Sequence, residues 1–249
     1  MGIPFYLHES NSIPGKVTRW FQPMARRVFH TPLMIPSLAR KRNMRMTGFP
    51  LRKSPPAKGR GAALSRLNLD PERRLITVLG GSQGARALTE WMEKQGAEFV
   101  EAGFQVLCVA GPGNYCPKLE EGENPHVRFI RFVGDMPTLY AATHLLIARS
   151  GAGTLAEVAR YECPAVLVPL PESADEHQWR NAEIFANTGA ARIEAQPLDG
   201  ESARRIIALA SNEGSLVSMK TAQRTWNQRN RVDNLLAEIA DGDGSEARV

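Results

Sequence analysis

Between residues 75 and 211, short apolar runs alternate with longer amphipathic stretches, and glycine or serine marks several of the turns between them. The run at 75–79 has the length and β-branched content of a buried strand, and an amphipathic helix pattern follows Gly84. The same pattern predicts strands over 105–110, 127–133, 144–148, 165–170 and 190–194, and helices over 85–99, 136–143, 154–162, 176–188 and 200–211. Such alternation predicts an α/β fold, with a parallel sheet covered by helices on both faces.

The first 50 residues follow a different pattern, which predicts a strand over 3–7, a helix over 17–29 and a short strand over 33–35. One helix and two strands cannot bury a core alone, so this segment packs on the next domain or belongs to a larger unit. An exposed linker is predicted over 53–61, one long polar-rich helix over 215–239, and a disordered tail over 241–249. The predicted divisions of the chain are residues 1–50, a domain over 51–212, a helical segment over 213–240 and the tail.

Basic residues are concentrated at the start of the chain, where residues 1–60 hold twelve Lys or Arg and a single acid, Glu9. Because the net charge of the whole chain is +5, the remainder is acidic. A basic block can attract nucleic acid, anionic lipid or a phosphorylated ligand, and it can also be a solvated face. Nucleic acid is the least favoured partner, since the block offers few aromatic side chains on which bases could stack.

No apolar stretch approaches the roughly 18 residues of a transmembrane helix, and the first residues lack the pattern of a signal peptide. Cys108, Cys116 and Cys163 do not have the spacing of metal ligands, which indicates reduced thiols in a cytoplasmic protein. We expect neither a metal nor another cofactor.

The segment Gly80-Gly-Ser-Gln-Gly84 follows a predicted strand and precedes a predicted helix. Glycines let the backbone approach a ligand closely, and the N–H groups and dipole of a helix start attract an anion. Ser82 can add a hydroxyl donor. The segment has neither the lysine of a Walker loop nor the spacing of a dinucleotide-binding loop. A tight turn without a ligand would have the same composition, so both interpretations stay open.

Three other polar segments follow predicted strands, and each has a functional and a structural interpretation. In the segment at 149–157, glycines precede a helix that carries Glu157. Its carboxylate could accept hydrogen bonds from ribose hydroxyls, or it could be there only because the helix dipole stabilises a negative charge in the first turn. His177 and Gln178 could contact sugar hydroxyls or provide polarity at a helix start. His8 and Glu9 could supply acid–base chemistry, although a structural histidine is as compatible with the pattern.

Six short motifs occur in order along the chain. They lie at residues 8–15 (HESNSIPG), 48–52 (GFPLR), 80–85 (GGSQGA), 132–136 (FVGDM), 150–157 (SGAGTLAE) and 177–182 (HQWRNA). Their residues and order resemble the MurG family, the UDP-N-acetylglucosamine:lipid I N-acetylglucosaminyltransferases of peptidoglycan synthesis. The resemblance covers about residues 2–196.

The resemblance implies the GT-B architecture, in which two Rossmann-like domains face a cleft, with a Rossmann-like C-terminal domain and a partial N-terminal one here. It implies an inverting transfer of N-acetylglucosamine from UDP-N-acetylglucosamine to lipid I, at the cytoplasmic face of the bacterial plasma membrane. It also implies that residues 1–50 face the acceptor and the membrane, which gives the basic block a function, attraction to anionic lipid headgroups.

Carried over by position, the resemblance assigns a donor site. Val133 is expected to offer its backbone to uracil, and Glu157 to hold the ribose hydroxyls. His177 and Gln178 are expected to contact the N-acetylglucosamine, which Asn11 would reach from the other domain. The diphosphate or its surroundings are expected to be held by Arg52, Ser82 and the backbone of Ala152, Gly153, Thr154 and Leu155, and Ala156 is expected to belong to the same substrate-binding site. The general base is not assigned, and His8 and Glu9 are the candidates.

Three departures from the family pattern affect these expectations. Phe49 stands where the family has Asn, and Thr18 stands where an Asn is usual, which weakens the expected contacts between the domains. The family also has an earlier strand and a G-G-T-G-G-H loop that helps bind the acceptor diphosphate, and neither occurs in this sequence. We therefore expect either a truncated transferase or a non-catalytic module that binds a UDP-sugar.

Overall fold

The computed structural model describes residues 3–52, 59–80, 85–113, 124–171 and 176–244, which form a three-stranded and a six-stranded parallel sheet. The smaller sheet is built from the strands β1 (Tyr6–Glu9), β2 (Arg27–His30) and β3 (Met44–Met46), paired in that order. Helix α1 (Lys16–Phe21) connects the first two strands, and a short 3-10 helix (Leu38–Arg40) precedes the third. The small core of this three-stranded unit consists of Ala25, Val28, Met34 and Met44, with Phe5, Leu7 and Ala39 packed against them.

The predictions for this N-terminal unit are partly wrong. Helix α1 ends at Phe21 rather than continuing to residue 29, because Pro23 has no N–H with which to extend the helical hydrogen bonds. Val28 and Phe29 then lie in β2, since a short apolar run fits a strand as well as a helix face. Residues 33–35 form a turn instead of a strand, and the sequence analysis missed β3.

The larger sheet is formed by β4 (Arg74–Leu79), β5 (Phe104–Val109), β6 (Val127–Ile130), β7 (Thr143–Ala148), β8 (Ala165–Leu167) and β9 (Arg192–Ile193). The accompanying helices are α2 (Arg60–Arg66), α3 (Ala85–Glu101), α4 (Met136–Ala142), α5 (Ala152–Tyr161), α6 (His177–Ala186) and α7 (Gly200–Ala210). The strands lie in the order β6-β5-β4-β7-β8-β9, which is the Rossmann order 3-2-1-4-5-6 when counted from β4. The predicted α/β class with a Rossmann-like C-terminal domain is confirmed.

Both faces of this sheet are buried, which explains why its strands appear in the sequence as continuous apolar runs. In β7, Leu145 and Ile147 pack into the cluster that contains α3 and α7. Leu146 and Ala148 pack on the opposite face, with α5 and α6. Successive side chains of a strand point to opposite faces, so one apolar run supplies both cores.

Two helices, α8 (Glu213–Asn227) and α9 (Asp233–Gly244), follow the sheet, so the single helix predicted over 215–239 is wrong. Between them, the Asn230 side chain accepts from Phe49 N at 2.5 Å and donates to Phe49 O at 3.3 Å, which ties the break to the N-terminal unit. Helix α9 includes residues 241–244 of the predicted tail, and residues 245–249 lie outside the described residues. Of the helices in the described ranges, none has the length and apolar content needed to cross a membrane.

The predicted linker lies mostly outside the described residues, which stop at residue 52 and resume at residue 59. Its last residue, Gly61, belongs to α2, so the linker is shorter than predicted. The domain boundaries at residues 50, 212 and 240 stay predictions.

Candidate functional site

The strand order reverses between β4 and β7, and the connections that follow these two strands pack on opposite faces of the sheet. Loops that diverge in this way leave a crevice at the carboxyl ends of the strands, where open α/β sheets bind ligands. Gly80 follows β4, and residues 149–151 follow β7, so the first residue of one predicted motif and the start of another lie at this edge. Ser82 lies within 81–84, outside the described residues, and its role stays a prediction.

Helix α5 begins at this crevice and carries the predicted diphosphate contacts. Gly151 caps its start in an extended backbone conformation, and Leu155 N donates to Gly151 O at 3.1 Å. Helix geometry therefore leaves the N–H groups of residues 152–154 for a ligand. The side chain of Leu155 is buried in the apolar cluster and that of Ala156 is 9% exposed, and the Leu155 N–H is used within the helix. This geometry favours a packing role for these two residues.

Phe49, one of the departures from the family pattern, lies against the start of α5. A Cβ atom at Gly153 would come within 3.3 Å of the Phe49 ring, so glycine permits the close approach. The ring also meets His8 edge-on, with the ring centroids 6.3 Å apart. The Phe49 ring therefore packs the N-terminal unit onto α5, and Asn230 binds the Phe49 backbone. The contact between the units is thus apolar at the position where the family has a polar side chain.

Glu157, the predicted ribose ligand, lies one turn into α5 and is half-buried. Burial raises the pKa of its carboxyl group, and a hydrogen bond from Tyr140 opposes that rise. The Tyr140 Oη atom lies 2.9 Å from Glu157 Oε2. A carboxylate has about four acceptor positions, so this bond is compatible with others from a ligand hydroxyl pair.

The loop after β6 carries Val133, the predicted uracil contact. The Val133 side chain is 8% exposed and packs in the cluster formed with α2 and α4, whereas the neighbouring Phe132 is 69% exposed. Asp135 caps α4 by accepting from Thr138 Oγ1 at 2.7 Å and Thr138 N at 3.2 Å, and these bonds lower the pKa of Asp135. Arg66 pairs with the same carboxylate at 2.9 Å. The loop is therefore anchored on both sides of Gly134, which suits a backbone contact to a base.

The start of α6 carries His177 and Gln178, the predicted sugar contacts. Gln178 Oε1 accepts from Leu170 N at 3.1 Å, and Gln178 O accepts from Ser150 Oγ at 2.7 Å. These bonds tie the start of α6 to the segments that leave β7 and β8. His177 is half-buried beside them. Both residues are thus placed at the carboxyl end of the sheet, with the start of α5.

Asn181 was not assigned a role from the sequence, although it belongs to the motif at 177–182. Its side chain is fully buried, and its Oδ1 atom accepts from Ser12 N at 2.9 Å. Its Nδ2 atom donates to Asn11 Oδ1 at 3.1 Å and to Ser150 O at 3.3 Å. One amide therefore joins the loop after β1 to the segment after β7. Asn11 contacts Asn181 of the second domain, and its expected contact with the sugar stays a prediction.

Glu9, one of the two candidate general bases, is 5% exposed and accepts three hydrogen bonds, two from the loop that follows it and one from α1. Its Oε2 atom accepts from Thr18 Oγ1 at 2.7 Å and from Gly15 N at 2.8 Å, and Oε1 accepts from Asn11 N at 3.1 Å. These contacts favour a structural role, in which the carboxylate shapes the loop that presents Asn11. Thr18, the other departure from the family pattern, serves this network as a hydroxyl donor.

His8, the other candidate, is also held by neighbouring groups. Its Nε2 atom lies 2.8 Å from Gly48 O, a contact that requires the proton on Nε2, and Ser10 Oγ lies 3.3 Å from Nδ1. The ring therefore joins β1 to the segment that carries Phe49. This geometry, like that of Glu9, favours a structural role.

Two arginines lie near the crevice. Arg52, a predicted diphosphate contact, is exposed at the end of a described range. Arg149, to which the sequence analysis gave no role, is 6% exposed, and burial lowers its pKa. Its Nη1 atom donates to Gln196 Oε1 at 2.8 Å, Val168 O at 3.0 Å and Pro169 O at 3.3 Å. The guanidinium thus links the segment after β7 to the end of β8 and to Gln196.

Residues 75–233 match the model of the glycosyltransferase family 28 C-terminal domain, and this range contains the loops and helix starts described above. The chain belongs to glycosyltransferase family 28. A relative from Opitutus terrae is 30% identical to this chain over 245 residues, which cover 96% of this chain and 65% of the relative. That relative is named UDP-N-acetylglucosamine--N-acetylmuramyl-(pentapeptide) pyrophosphoryl-undecaprenol N-acetylglucosamine transferase. A protein of the same name from Nostoc punctiforme is 36% identical over 197 residues, covering 77% of this chain and 53% of the relative.

Solved structures share the fold of this family 28 chain. MurG from Acinetobacter baumannii matches it with a TM-score of 0.71 at 24% identity, covering 96% of this chain and 68% of that one. The calicheamicin glycosyltransferase CalG4 matches with a TM-score of 0.64 at 16% identity, covering 94% and 58%. The predicted GT-B glycosyltransferase fold is confirmed. The chain spans 65% or less of the length of the two relatives named above.

Within the described ranges of this family 28 chain, no group of three His, Cys, Asp or Glu side chains is arranged to hold a metal ion. Cys108 and Cys163 are buried thiols, and burial raises the pKa of Cys163 to about 12. Cys116 lies outside the described residues.

We expect Asn181→Ala to loosen the loop after β1, because Ser12 N–H would lose its acceptor in a buried position, at a cost of about 1–3 kcal/mol. Hydrogen exchange followed by mass spectrometry should show faster exchange at residues 10–15, with β4 and β7 unchanged. The matched control is Asn187→Ala, which alters an exposed residue at the end of the same helix and should leave exchange unchanged. Equal protection in Asn181→Ala and the wild type would contradict the bridging role.

Proposed function

We propose that this family 28 chain is the donor-binding part of an N-acetylglucosaminyltransferase that transfers N-acetylglucosamine from UDP-N-acetylglucosamine to lipid I, forming lipid II. The observation that carries the proposal is the convergence of separate motifs at one end of a sheet in Rossmann order. The segments after β6, β7 and β8 meet there. The names of the relatives from Opitutus terrae and Nostoc punctiforme support the same reaction.

Each part of the donor has a group of suitable chemistry in this arrangement. The anchored loop at Val133 offers backbone groups to uracil, and the carboxylate of Glu157 accepts from the ribose hydroxyls. The diphosphate lies at the start of α5, where N–H groups and the helix dipole favour negative charge. The start of α6, with His177 and Gln178, faces the N-acetylglucosamine.

The transfer itself is an inverting displacement at the anomeric carbon. A hydroxyl oxygen of the acceptor forms a bond to that carbon while the bond to the diphosphate oxygen breaks, and UDP leaves with the electron pair. The developing charge on UDP is stabilised by the α5 N–H groups and by the nearby Arg149 guanidinium, because preorganised donors act strongly in a site that excludes water. The proton of the acceptor hydroxyl passes to a base that remains unassigned.

A second candidate function is a module that binds a UDP-sugar without transferring it. The contacts of His8 and Glu9 favour this alternative, since the His8 ring joins β1 to Gly48 and the Glu9 carboxylate shapes the loop after β1. The proposed transfer therefore needs a base from elsewhere.

We also propose that the chain contacts the anionic cytoplasmic surface of the bacterial plasma membrane through α1. This helix exposes Val17 and Trp20, which are 66% and 78% exposed, and Met24 just beyond it is 63% exposed. Lys16 is an exposed cation on the same helix. An apolar surface flanked by cations is the arrangement of helices that lie in the membrane interface.

We expect Glu157→Ala to weaken UDP binding by about 1.5–3 kcal/mol, the range for hydrogen bonds to a charged group. Calorimetry with UDP and with 2′-deoxy-UDP should show that removal of the ribose 2′-hydroxyl lowers the affinity of the variant much less than the affinity of the wild type. Glu213→Ala is the matched control, because Glu213 pairs with Arg74 at the opposite end of β4. Normal UDP binding by Glu157→Ala would remove the ribose assignment.

A transfer assay separates the two candidate functions. We expect little transfer of labelled N-acetylglucosamine to a short-chain lipid I analogue by the chain alone, because positioning of the acceptor supplies much of the rate. A chimaera that adds the unmatched part of the Opitutus terrae relative should restore transfer. UDP binding without transfer by either protein would favour the binding module, and robust transfer by the chain alone would show that its acceptor site is complete.

We expect Trp20→Ser and Lys16→Gln each to weaken binding to vesicles that contain phosphatidylglycerol, and added salt to weaken the binding of the wild type. One cation near an anionic surface contributes about 1 kcal/mol, so Lys16→Gln should reduce the affinity about fivefold. Lys220→Gln, an exposed lysine on α8, is the control and should have no effect. Equal sedimentation with neutral and anionic vesicles would contradict the electrostatic part of the proposal.

A further inference from the structure

A buried tyrosine, Tyr140, contacts the carboxylate that the proposed function assigns to ribose. Tyr140 lies on α4, which follows the loop of Val133, and Glu157 lies on α5. The Tyr140 Oη atom donates to Glu157 Oε2 at 2.9 Å, and the Tyr140 side chain is only 3% exposed. The contact therefore connects the element that follows the proposed uracil contact with the proposed ribose ligand.

The position of the Tyr140 hydroxyl is fixed by aromatic packing. Its ring stacks on the ring of Tyr161, with centroids 4.9 Å apart and an angle of 12° between the planes. Tyr161 is four residues after Glu157 on α5, so it lies on the same face of the helix, one turn along. Stacked aromatic rings contribute beyond the area that they bury, and here they hold the hydroxyl donor beside the carboxylate.

The carboxylate needs such a partner, because Glu157 has a flexible side chain in a half-buried position. Fixing a long side chain in one rotamer costs entropy, and a hydrogen bond already present in the free protein removes part of that cost from ligand binding. With Oε2 bonded to Tyr140, the remaining acceptor positions, including those of Oε1, are held in a defined direction.

The ionisation of the two groups is consistent with this arrangement. Burial raises the pKa of Tyr140 well above its ordinary value, so the phenol stays a donor at neutral pH. Burial also raises the pKa of Glu157, and the hydrogen bond from Tyr140 lowers it. Among the residues that the structure describes, the other titratable groups that act on Tyr140 are Tyr161 on α5 and Cys163 just beyond α5, and burial raises the pKa of Cys163 to about 12.

We propose that Tyr140 is a positioning residue that holds the Glu157 carboxylate in the orientation needed to accept both hydroxyls of a nucleotide ribose. The inference rests on the proposed function, because it assumes that Glu157 contacts the ribose. Tyr140 itself touches the carboxylate rather than the nucleotide, so its effect on binding passes through Glu157.

Calorimetry with UDP on four proteins tests this role: the wild type, Tyr140→Phe, Glu157→Gln and the double variant. Tyr140→Phe keeps the stacked ring and removes only the donor, so UDP affinity should fall about three- to tenfold, the effect of one hydrogen bond. In the Glu157→Gln background the same change should have almost no further effect, because the two residues act as one unit. Tyr161→Phe, which removes a hydroxyl from the stacked partner, is the matched control and should bind UDP normally.

A pH series distinguishes positioning from a general loss of stability. Binding that requires the Glu157 carboxylate is lost as the pH falls through the pKa of that group. Removal of the Tyr140 hydroxyl raises that pKa, so Tyr140→Phe should lose affinity at a higher pH than the wild type. Ionisation of UDP is common to both proteins and cancels in the ratio of their affinities.

The outcomes separate the inference from the function on which it rests. If the wild type binds UDP and Tyr140→Phe binds it equally at every pH, the positioning role is overturned and the donor site stands. The same holds if the losses from Tyr140→Phe and Glu157→Gln simply add. If the wild type does not bind UDP at all, the proposed function is overturned, and the inference with it.

Discussion

The reversal of strand order between β4 and β7 is the constraint on which the site depends. Parallel strands joined by right-handed crossovers place successive helices on one face, and the helices change face only where the order reverses. At that point two helix starts diverge and leave a crevice between them. The glycines at 80 and 151 and the starts of α5 and α6 matter because they lie at this edge.

Around the crevice, buried polar side chains determine how neighbouring segments meet. The Asn181 amide joins the loop after β1 to the segment after β7, and Glu9 shapes that loop through three accepted bonds. Arg149 links the segment after β7 to the end of β8 in the same way. A buried polar group without its partner is costly, so each of these bonds favours one arrangement of the loops. The apolar contact of Phe49 with Gly153 adds a packing constraint between the two units.

The sequence predicted the larger sheet well because strands buried on both faces appear as unbroken apolar runs between glycine-rich turns. The same reasoning failed for β2, where Val28 and Phe29 also fit a helix, and for the break between α8 and α9. At that break Asn230 bonds with Phe49, which lies 181 residues earlier in the chain, so no local pattern indicates the contact. The motifs located Glu157, but the contacts of Tyr140 and Asn181 join distant segments that no local pattern connects. The expected roles of Leu155 and Ala156 stay predictions, since helix geometry leaves only the first N–H groups of α5 available to a ligand.

The central claim is that the carboxyl edge at β4 and β7 holds a uridine nucleotide in one orientation. A crystal structure of the chain grown with UDP measures this directly. We expect uracil beside the Val133 backbone, the ribose hydroxyls within hydrogen-bond distance of Glu157, and the diphosphate at the N–H groups of residues 152–154. A nucleotide bound at another edge of the sheet, or one that turns its ribose away from Glu157, would contradict the claim.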